Sequence, residues 1–443
     1  FNISPLDNRY YDKVSNLRFF LSDYGINKIR FDTEIAYFKE IVKYIHGYEN
    51  YDFNLEFSKT AFNRIKEIEK TTNHDIKAIE YYIREQVLEK KEFDYYKYHN
   101  LIHFALTSQD INSFTNTLSV KLTVQKIILP KLLNITAILE YFGANWSTVN
   151  MMSRTHGQPA VTTSMGKELE VFNSRLSVQI KKLSEYKYTT KFGGAIGNFN
   201  SHQVAYPNHN WIKFGDDFIE SLDLTRNQFT TQIDIYDNYA ELFDNLKRIS
   251  TILVDFSRDI WIYISNNYLV QKCVKAEVGS STMPHKINPI NFENAEGNLM
   301  LAINLMEFMS RKLPISRLQR DLTDSTVLRN IGMVFSYLLI GIKSLQNGLE
   351  TIDANRPLIL QELKDNEIVL AEAIQSILRR ERIPNSYNII KDLSRNNQEF
   401  SIGFVVEKLE QYECIKTHIN KDKILKEISD LQVEKYIGVM PRV

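Results

Sequence analysis

The sequence predicts an all-α protein of three helical domains, with a central bundle of very long helices. Three observations carry this. Apolar residues recur at spacings of three or four over long stretches. Proline is absent between Pro5 and Pro130, which favours uninterrupted helices because an interior proline costs roughly 3 kcal/mol. No stretch alternates apolar and polar residues for long enough to argue for a sheet. The expected divisions are residues 1–98, an N-terminal helical domain; 99–350, the long-helix bundle with a loop at 275–290; and 351–443, a C-terminal helical domain.

The clearest element runs from Ala240 to Leu269. Leu242, Leu246, Ile249, Leu253, Phe256, Ile260 and Ile264 form one stripe, on a helix of about 45 Å at 1.5 Å per residue. Similar patterns predict helices over Asn116–Tyr141, Ser164–Lys187, Asn291–Leu313 and Ser325–Asp353. Helices of this length offer more apolar surface than one bundle can bury, so association with further copies is expected.

The 443 residues carry a formal net charge of zero, with 43% hydrophobic and 24% charged residues. That balance asks for neither a nucleic-acid nor a membrane partner, and a small-molecule substrate is the expectation. The two cysteines, Cys273 and Cys414, are far apart and give no disulfide framework. No apolar targeting region follows Phe1 and no run of eighteen apolar residues occurs, so a cytoplasmic location is expected. His99 and His103, four apart, would share one face of a helix. Asn100 stands where the zinc-protease pattern needs Glu, so they are read as ordinary histidines. No Cys-x-x-Cys, Walker or dinucleotide-binding glycine motif is present.

Four polar segments interrupt the helical pattern: Thr71–Lys77, Thr107–Asn112, Ser153–Pro159 and Gly279–Pro289. The first two read as helix caps. The third reads as a turn closed by Gly157 and Pro159, with His156 in it. The fourth joins two long helices without apolar content, as lids and binding loops do. Its Gly279 allows close backbone approach to a ligand, and Lys286 offers a point charge for an anion.

Gly279–Pro289 resembles the signature of the fumarase/aspartase superfamily, Gly-Ser-Ser-x-Met-Pro-x-Lys-x-Asn-Pro, and meets every fixed position. Thr107, Ser108 and Asp110, then Thr155 and His156, resemble its other two blocks in the same order. The variable positions narrow the likeness. His285 before Lys286, Arg154–Pro159 and Thr72–Asp75 resemble the adenylosuccinate lyase family; argininosuccinate lyases carry Gln before the Lys. Ser4–Tyr10, Thr230–Asp234 and Arg317–Arg329 resemble its bacterial-type branch. The likeness spans nearly the whole chain and weakens after about Arg395. Gln109 stands where Glu or Asn is common, and Ile287 fills a variable slot.

The resemblance implies a homotetramer whose long helices form a multi-helix core and whose sites are assembled from several subunits. It implies β-elimination of fumarate from a succinyl-amino purine nucleotide, without a cofactor, with Ser280 as base and His156 as acid. A serine base needs its alkoxide stabilised, which backbone N–H groups of Gly279–Ser281 and the Lys286 ammonium would do in a site closed to water. An imidazole suits proton transfer near neutrality. The anionic substrate calls for cations, and Arg9, Lys286, Arg320 and Arg329 occupy matched positions, with Ser325 and Thr326 as hydroxyl donors. Tyr10, Asn73, His74, Asp75, Thr107, Ser108, Gln232, Ser281, Asn288 and Asn294 match further positions implied to contact ligand. The competing readings are an argininosuccinate lyase and a helical scaffold without chemistry; the joint presence of Ser280, His156 and Lys286 speaks against the second.

Overall fold

A computed structural model describes residues 3–272, 283, 285–395 and 400–439. Residues 279–282 and 284 of the Gly279–Pro289 loop, Ser280 and Ser281 among them, lie outside the described residues. In chain order the helices are α1 (Arg18–Leu21), α2 (Asp23–His46), α3 (Lys59–Thr72), α4 (Asp75–Glu89), α5 (Ser108–Thr123), α6 (Leu129–Asn145), α7 (Met165–Ser184), α8 (Asn200–Ala205), α9 (Trp211–Ser221), α10 (Asp237–Ser265), α11 (Ile290–Lys312), α12 (Thr323–Leu328) and α13 (Ile331–Leu349). Six shorter helices follow: α14 (Arg356–Lys364), α15 (Ala371–Arg380), α16 (Ser386–Arg395), α17 (Ile402–Leu409), α18 (Glu413–Lys416) and α19 (Lys421–Ser429).

The chain forms two compact units. One comprises Phe1–Leu133, Val178–Asp255 and Asn294–Leu345, and the other Asn134–Ser177, Phe256–Glu293 and Gln346–Val443. The divisions fall inside α6, α7, α10, α11 and α13.

In the first unit, α2 begins where the Ser22 hydroxyl accepts from Gly25 N and ends at Gly47, whose φ of 66° gives a left-handed cap. It buries Phe31, Tyr37, Phe38, Ile41 and Val42. Tyr37 meets Phe218 edge to face at 5.5 Å, and Phe114 meets Phe192 likewise at 5.5 Å, so aromatic edges fill this core. Strand β3 (Thr189–Lys191) pairs in parallel with β4 (Thr225–Asn227).

Of the stripe foreseen on α10, Leu242, Leu246, Ile249, Leu253, Phe256 and Ile260 are buried and Ile264 is half-buried. Two other expectations are corrected. The Asn116–Tyr141 pattern is not one regular α-helix, because Val124–Ile128 widens to a π-turn. Pro130 supplies the reason. It has no N–H to give the Lys126 carbonyl and its ring crowds that oxygen, so the turn before it opens to five-residue spacing, with Leu129 N bonding Val124 O. The Ser325–Asp353 pattern divides into α12 and α13, with Arg329 and Asn330 at the break.

The second unit carries the antiparallel hairpin β1 (Asn150–Thr155) and β2 (Gln158–Ser164), with a register irregularity between Met152 and Arg154. This hairpin was not foreseen, because its strands lack a clean alternation of apolar and polar residues. β5 (Leu269–Gln271) pairs with β6 (Ile352–Ala354). The core here gathers Leu363, Leu370, Ile374, Leu378, Ile390, Val405, Leu409, Ile415 and Ile428 around Met152 of the hairpin. Asn150 Nδ2 donates to Glu434 O at 2.7 Å and the Thr162 hydroxyl to Val433 O at 2.9 Å, fixing both strands to the C-terminal segment.

Candidate active site

In the first unit, the matched segments converge on the start of α5. Thr107 and Asp110 form a reciprocal capping box, with Thr107 N donating to Asp110 Oδ2 at 2.9 Å. The cap expected from the sequence is therefore present, and Asp110 does more than cap. Its Oδ1 accepts from Lys191 Nζ at 2.6 Å, Gly193 N at 3.1 Å and Gly194 N at 3.3 Å. Lys191 Nζ also donates to Gly194 O at 2.5 Å. Both side chains of this ion pair are fully buried. Burial lowers the Lys191 ammonium from its ordinary value, against the pull of Asp110. At Gly197, φ is +85° and a Cβ would lie 2.4 Å from Thr230 O, so this loop admits glycine alone there.

Three further links join the segments. Buried Gln109, at the position that departs from the family pattern, donates Nε2 to Ser325 Oγ at 3.2 Å. Arg30 of α2 bonds Asn112 Oδ1 at 2.8 Å and pairs with Asp75 Oδ2 at 2.9 Å. Burial opposes ionisation of Asp75, but Arg30, the Ile76 N–H, His74 and Arg329 together hold its carboxyl below the usual range. Arg320 Nη1 donates to Gln232 Oε1 at 3.3 Å, Gln232 N donates to Gln319 O at 3.3 Å, and the Arg320 charge reaches Lys191. Asp75, Thr107, Ser325, Arg329, Gln232 and Arg320 thus belong to one polar sector.

The remaining candidates of this unit lie around or away from that sector. Asn73 closes α3 in a left-handed conformation, with φ of 50°. His74 caps α4, its Nδ1 accepting from Lys77 N at 3.1 Å. Ser108 is half-buried at the first turn of α5, and Thr326 is exposed. A cavity of about 610 Å³ is lined by Ser4, Asp7, Tyr11, Arg18, Arg329 and Gly332, among others. Arg9 is exposed and Tyr10 half-buried beside this segment, and neither lines the cavity. Asn294 is exposed, its carbonyl accepting from Asn298 Nδ2 at 2.8 Å, and no described contact joins it to the sector.

The second unit presents His156 at the tip of the β1–β2 hairpin. His156 and Gly157 both have positive φ, 53° and 75°, and Thr155 pairs with Gln158. That is the two-residue primed hairpin turn, for which glycine is favoured. The expected turn is present, and the His156 side chain is exposed. Arg154 braces the tip, bonding Glu362 and, at 3.4 Å, Gly157 O. Lys286 is exposed, its backbone N donating to Met283 O at 3.1 Å, and Asn288 is half-buried.

Two pieces of this arrangement were missed from sequence. Lys191 stands just before Gly193 and Gly194, and a lone lysine gave no sign of complete burial. Arg30 and Glu34 sit within an amphipathic helix, where charges read as solvent-facing. The shared helix face expected for His99 and His103 is also corrected. Asp94–Leu101 is a 3-10 helix and His103 has φ of +58°, so the two do not share an α-helical face. His103 Nδ1 instead lies 2.5 Å from Glu34 Oε1.

Residues 31–303 match the family described as Lyase, and residues 316–437 match the one described as Adenylosuccinate lyase C-terminal. An adenylosuccinate lyase of Dictyostelium discoideum is 45% identical, the match covering 99% of this chain and 97% of that protein. One from Escherichia coli strain K12 is 42% identical over 89% of each chain, and one from Haemophilus influenzae 41% identical over 92% of each. Among solved structures, a fumarate lyase from Mesorhizobium sp. BNC1 superposes with a TM-score of 0.74 at 16% identity, covering 96% of this chain and 95% of that one. A 3-carboxy-cis,cis-muconate lactonizing enzyme from Pseudomonas putida gives 0.73 at 16% identity, covering 96% and 94%; likeness at that identity speaks for the fold alone. With near-complete matches above 40% identity and both family regions in place, this chain belongs to the adenylosuccinate lyase family.

Proposed function

We propose that the chain cleaves adenylosuccinate to AMP and fumarate, and acts likewise on the succinylaminoimidazole-carboxamide ribotide of purine synthesis. The observation that carries this reading is the polar sector at the start of α5. It gathers Asp75, Thr107, Gln232, Arg320, Ser325 and Arg329 from separate parts of the chain, and guanidinium and hydroxyl groups suit carboxylates and phosphate.

In the proposed reaction Ser280 removes a proton next to a carboxylate of the succinyl group. The resulting electron pair forms the new carbon–carbon double bond as the C–N bond breaks, and His156 protonates the departing nitrogen. Lys286, with backbone N–H groups of its loop, would hold the negative charge that develops. The exposed position of His156 supports a site completed by other subunits, hence a homotetramer with shared sites. So do the exposed apolar residues on the long helices, among them Val178, Trp261, Leu301 and Phe308. We also retain the three-domain division, Arg9, Tyr10, Asn73, His74, Ser108, Ser281, Asn288, Asn294 and Thr326 as ligand contacts, and a cytoplasmic location.

The test is an absorbance assay of adenylosuccinate cleavage, run beside argininosuccinate with fumarate as the common product. Fumarate from adenylosuccinate alone is the expected result. Consumption of argininosuccinate alone would overturn the assignment.

A further inference from the structure

Residues 102–106 lead directly into Thr107 and hold two non-glycine residues at positive φ, His103 at 58° and Ala105 at 57°. Such conformations cost about 1 kcal/mol or more each and persist where surroundings over-determine them. Here α2 supplies the constraint. Tyr37 donates its hydroxyl to Phe104 O at 2.7 Å, and the His103 ring meets Glu34 at 2.5 Å. On the far side of Thr107, Asp110 is held by Lys191.

The charges nearby decide what His103 does. Glu34 is fully buried, and its other oxygen has no hydrogen-bond partner among the described residues. The charged groups facing this site are Glu34 from α2, Glu80 from α4 and Asp110 from α5. Asp110 is balanced by Lys191, and Glu80 by Lys77 and Arg84. Among the described residues, Glu34 has only His103 as an ion-pair partner. Burying a carboxylate is costly unless it is paired and hydrogen-bonded.

We propose that His103, ion-paired with Glu34, is a positioning residue that fixes residues 102–106 and so aims Thr107 and Ser108 at the substrate. This rests on the reading above that Thr107 and Ser108 touch the ligand. Burial alone would depress the imidazole. The Glu34 charge and hydrogen bond, with Glu80 and Asp110 behind, reverse this and raise it above its ordinary value. A raised value means the pair is complete at low pH and is lost as pH rises through the His103 midpoint.

The test uses the full-length enzyme with adenylosuccinate. Histidine C2–H deuterium exchange followed by mass spectrometry gives the His103 midpoint in the wild-type protein. The expected result is a midpoint above about 6.5, with KM rising across that same midpoint. His103→Gln should raise KM about tenfold, the effect of one lost charge-assisted contact, while kcat changes little, and it should flatten that limb of the KM profile. A midpoint at or below the ordinary value, or a KM flat across it, overturns the proposal even if His103→Gln fails to fold. Ser108→Ala separates the two layers. If Ser108→Ala leaves KM unchanged, the ligand-contact reading fails. If Ser108→Ala raises KM and His103→Gln does not, only the role of His103 fails.

Discussion

The start of α5 and the tip of the β1–β2 hairpin are built in opposite ways. At Thr107–Asp110 one chain supplies everything: a capping box, a fully buried ion pair and two amide donors converge on a single carboxylate. At His156–Gly157 the backbone is set by a two-residue turn and one arginine brace, and the imidazole is exposed. The first region is finished by its own chain, and its polar groups are held in place before any proposed ligand arrives. The second presents the proposed proton-transfer group without enclosing it, and an enclosed site is where such a group acts best. The division of labour proposed for the enzyme follows: binding prepared within a subunit, proton transfer completed by assembly.

The strongest way to break this comparison is to truncate the chemistry. His156→Ala and Ser280→Ala should each lower turnover by about a thousandfold or more. His156→Ala should leave the melting temperature nearly unchanged, because an exposed turn side chain contributes little to stability. A loss below tenfold in either variant removes that residue from the mechanism. Mixing the two inactive proteins and allowing subunit exchange should restore measurable turnover. If mixtures stay as inactive as their parents, the sites are not shared.

Asp110→Ala should behave in the reverse manner. It strips the partner from a buried ammonium and the acceptor from two amides, so a loss of about 3–5 kcal/mol is expected. Denaturant unfolding measures it. Asp110→Leu combined with Lys191→Met should recover much of that stability, since neither charge is then left alone. Should Asp110→Ala melt like the wild type, the start of α5 is not the enclosed region described here.

What could be read beforehand divides along the same line. Periodicity located α10 and its buried stripe, because 3.6-residue spacing is written into neighbouring positions. The caps at His74 and Thr107 and the turn at Gly157 were also legible, since each depends on residues within a few positions. The π-turn was not foreseen, although its cause, Pro130, was in view. The division of the Ser325–Asp353 pattern at Arg329 carries no glycine or proline to announce it. Least legible were Arg30–Asp75, Glu34–His103 and Asp110–Lys191, which join residues 45, 69 and 81 positions apart. A charged residue inside an amphipathic helix reads as solvent-facing until the opposite charge is brought to it by the fold. Among the site assignments, recognising the blocks supplied the candidates, while the structure shows which of them meet within one unit.

The smallest expected effect concerns acid, and it belongs to the enclosed region. His202 is fully buried, and its Nε2 lies 3.1 Å from the Tyr37 hydroxyl. Tyr37 gives its one proton to Phe104 O, so Nε2 must be the donor and Nδ1 the bare acceptor. Nδ1 has no partner among the described residues; protonating it would create a buried donor with nothing to receive it. Burial accordingly pushes the ring down to about 4, with Asp110 and Lys191 pulling in opposite directions. The unfolded chain takes up this proton near pH 6.5 and the native one only near 4, so stability should fall as pH drops between those values, by about 2 kcal/mol at pH 5. Buried Asp234 works against this. Its carboxyl is raised to about 6, chiefly by burial, so its cost to the fold is relieved over a similar range. The wild-type curve therefore mixes two opposed slopes, and the informative quantity is a difference. His202→Phe keeps an aromatic ring against Phe199 and Trp211 and removes the titrating group. Between pH 7 and pH 5 the wild type should lose about 2 kcal/mol more than this variant. Equal losses would mean that His202 is protonated in the native state, and the enclosure of this region would have to be redrawn around it.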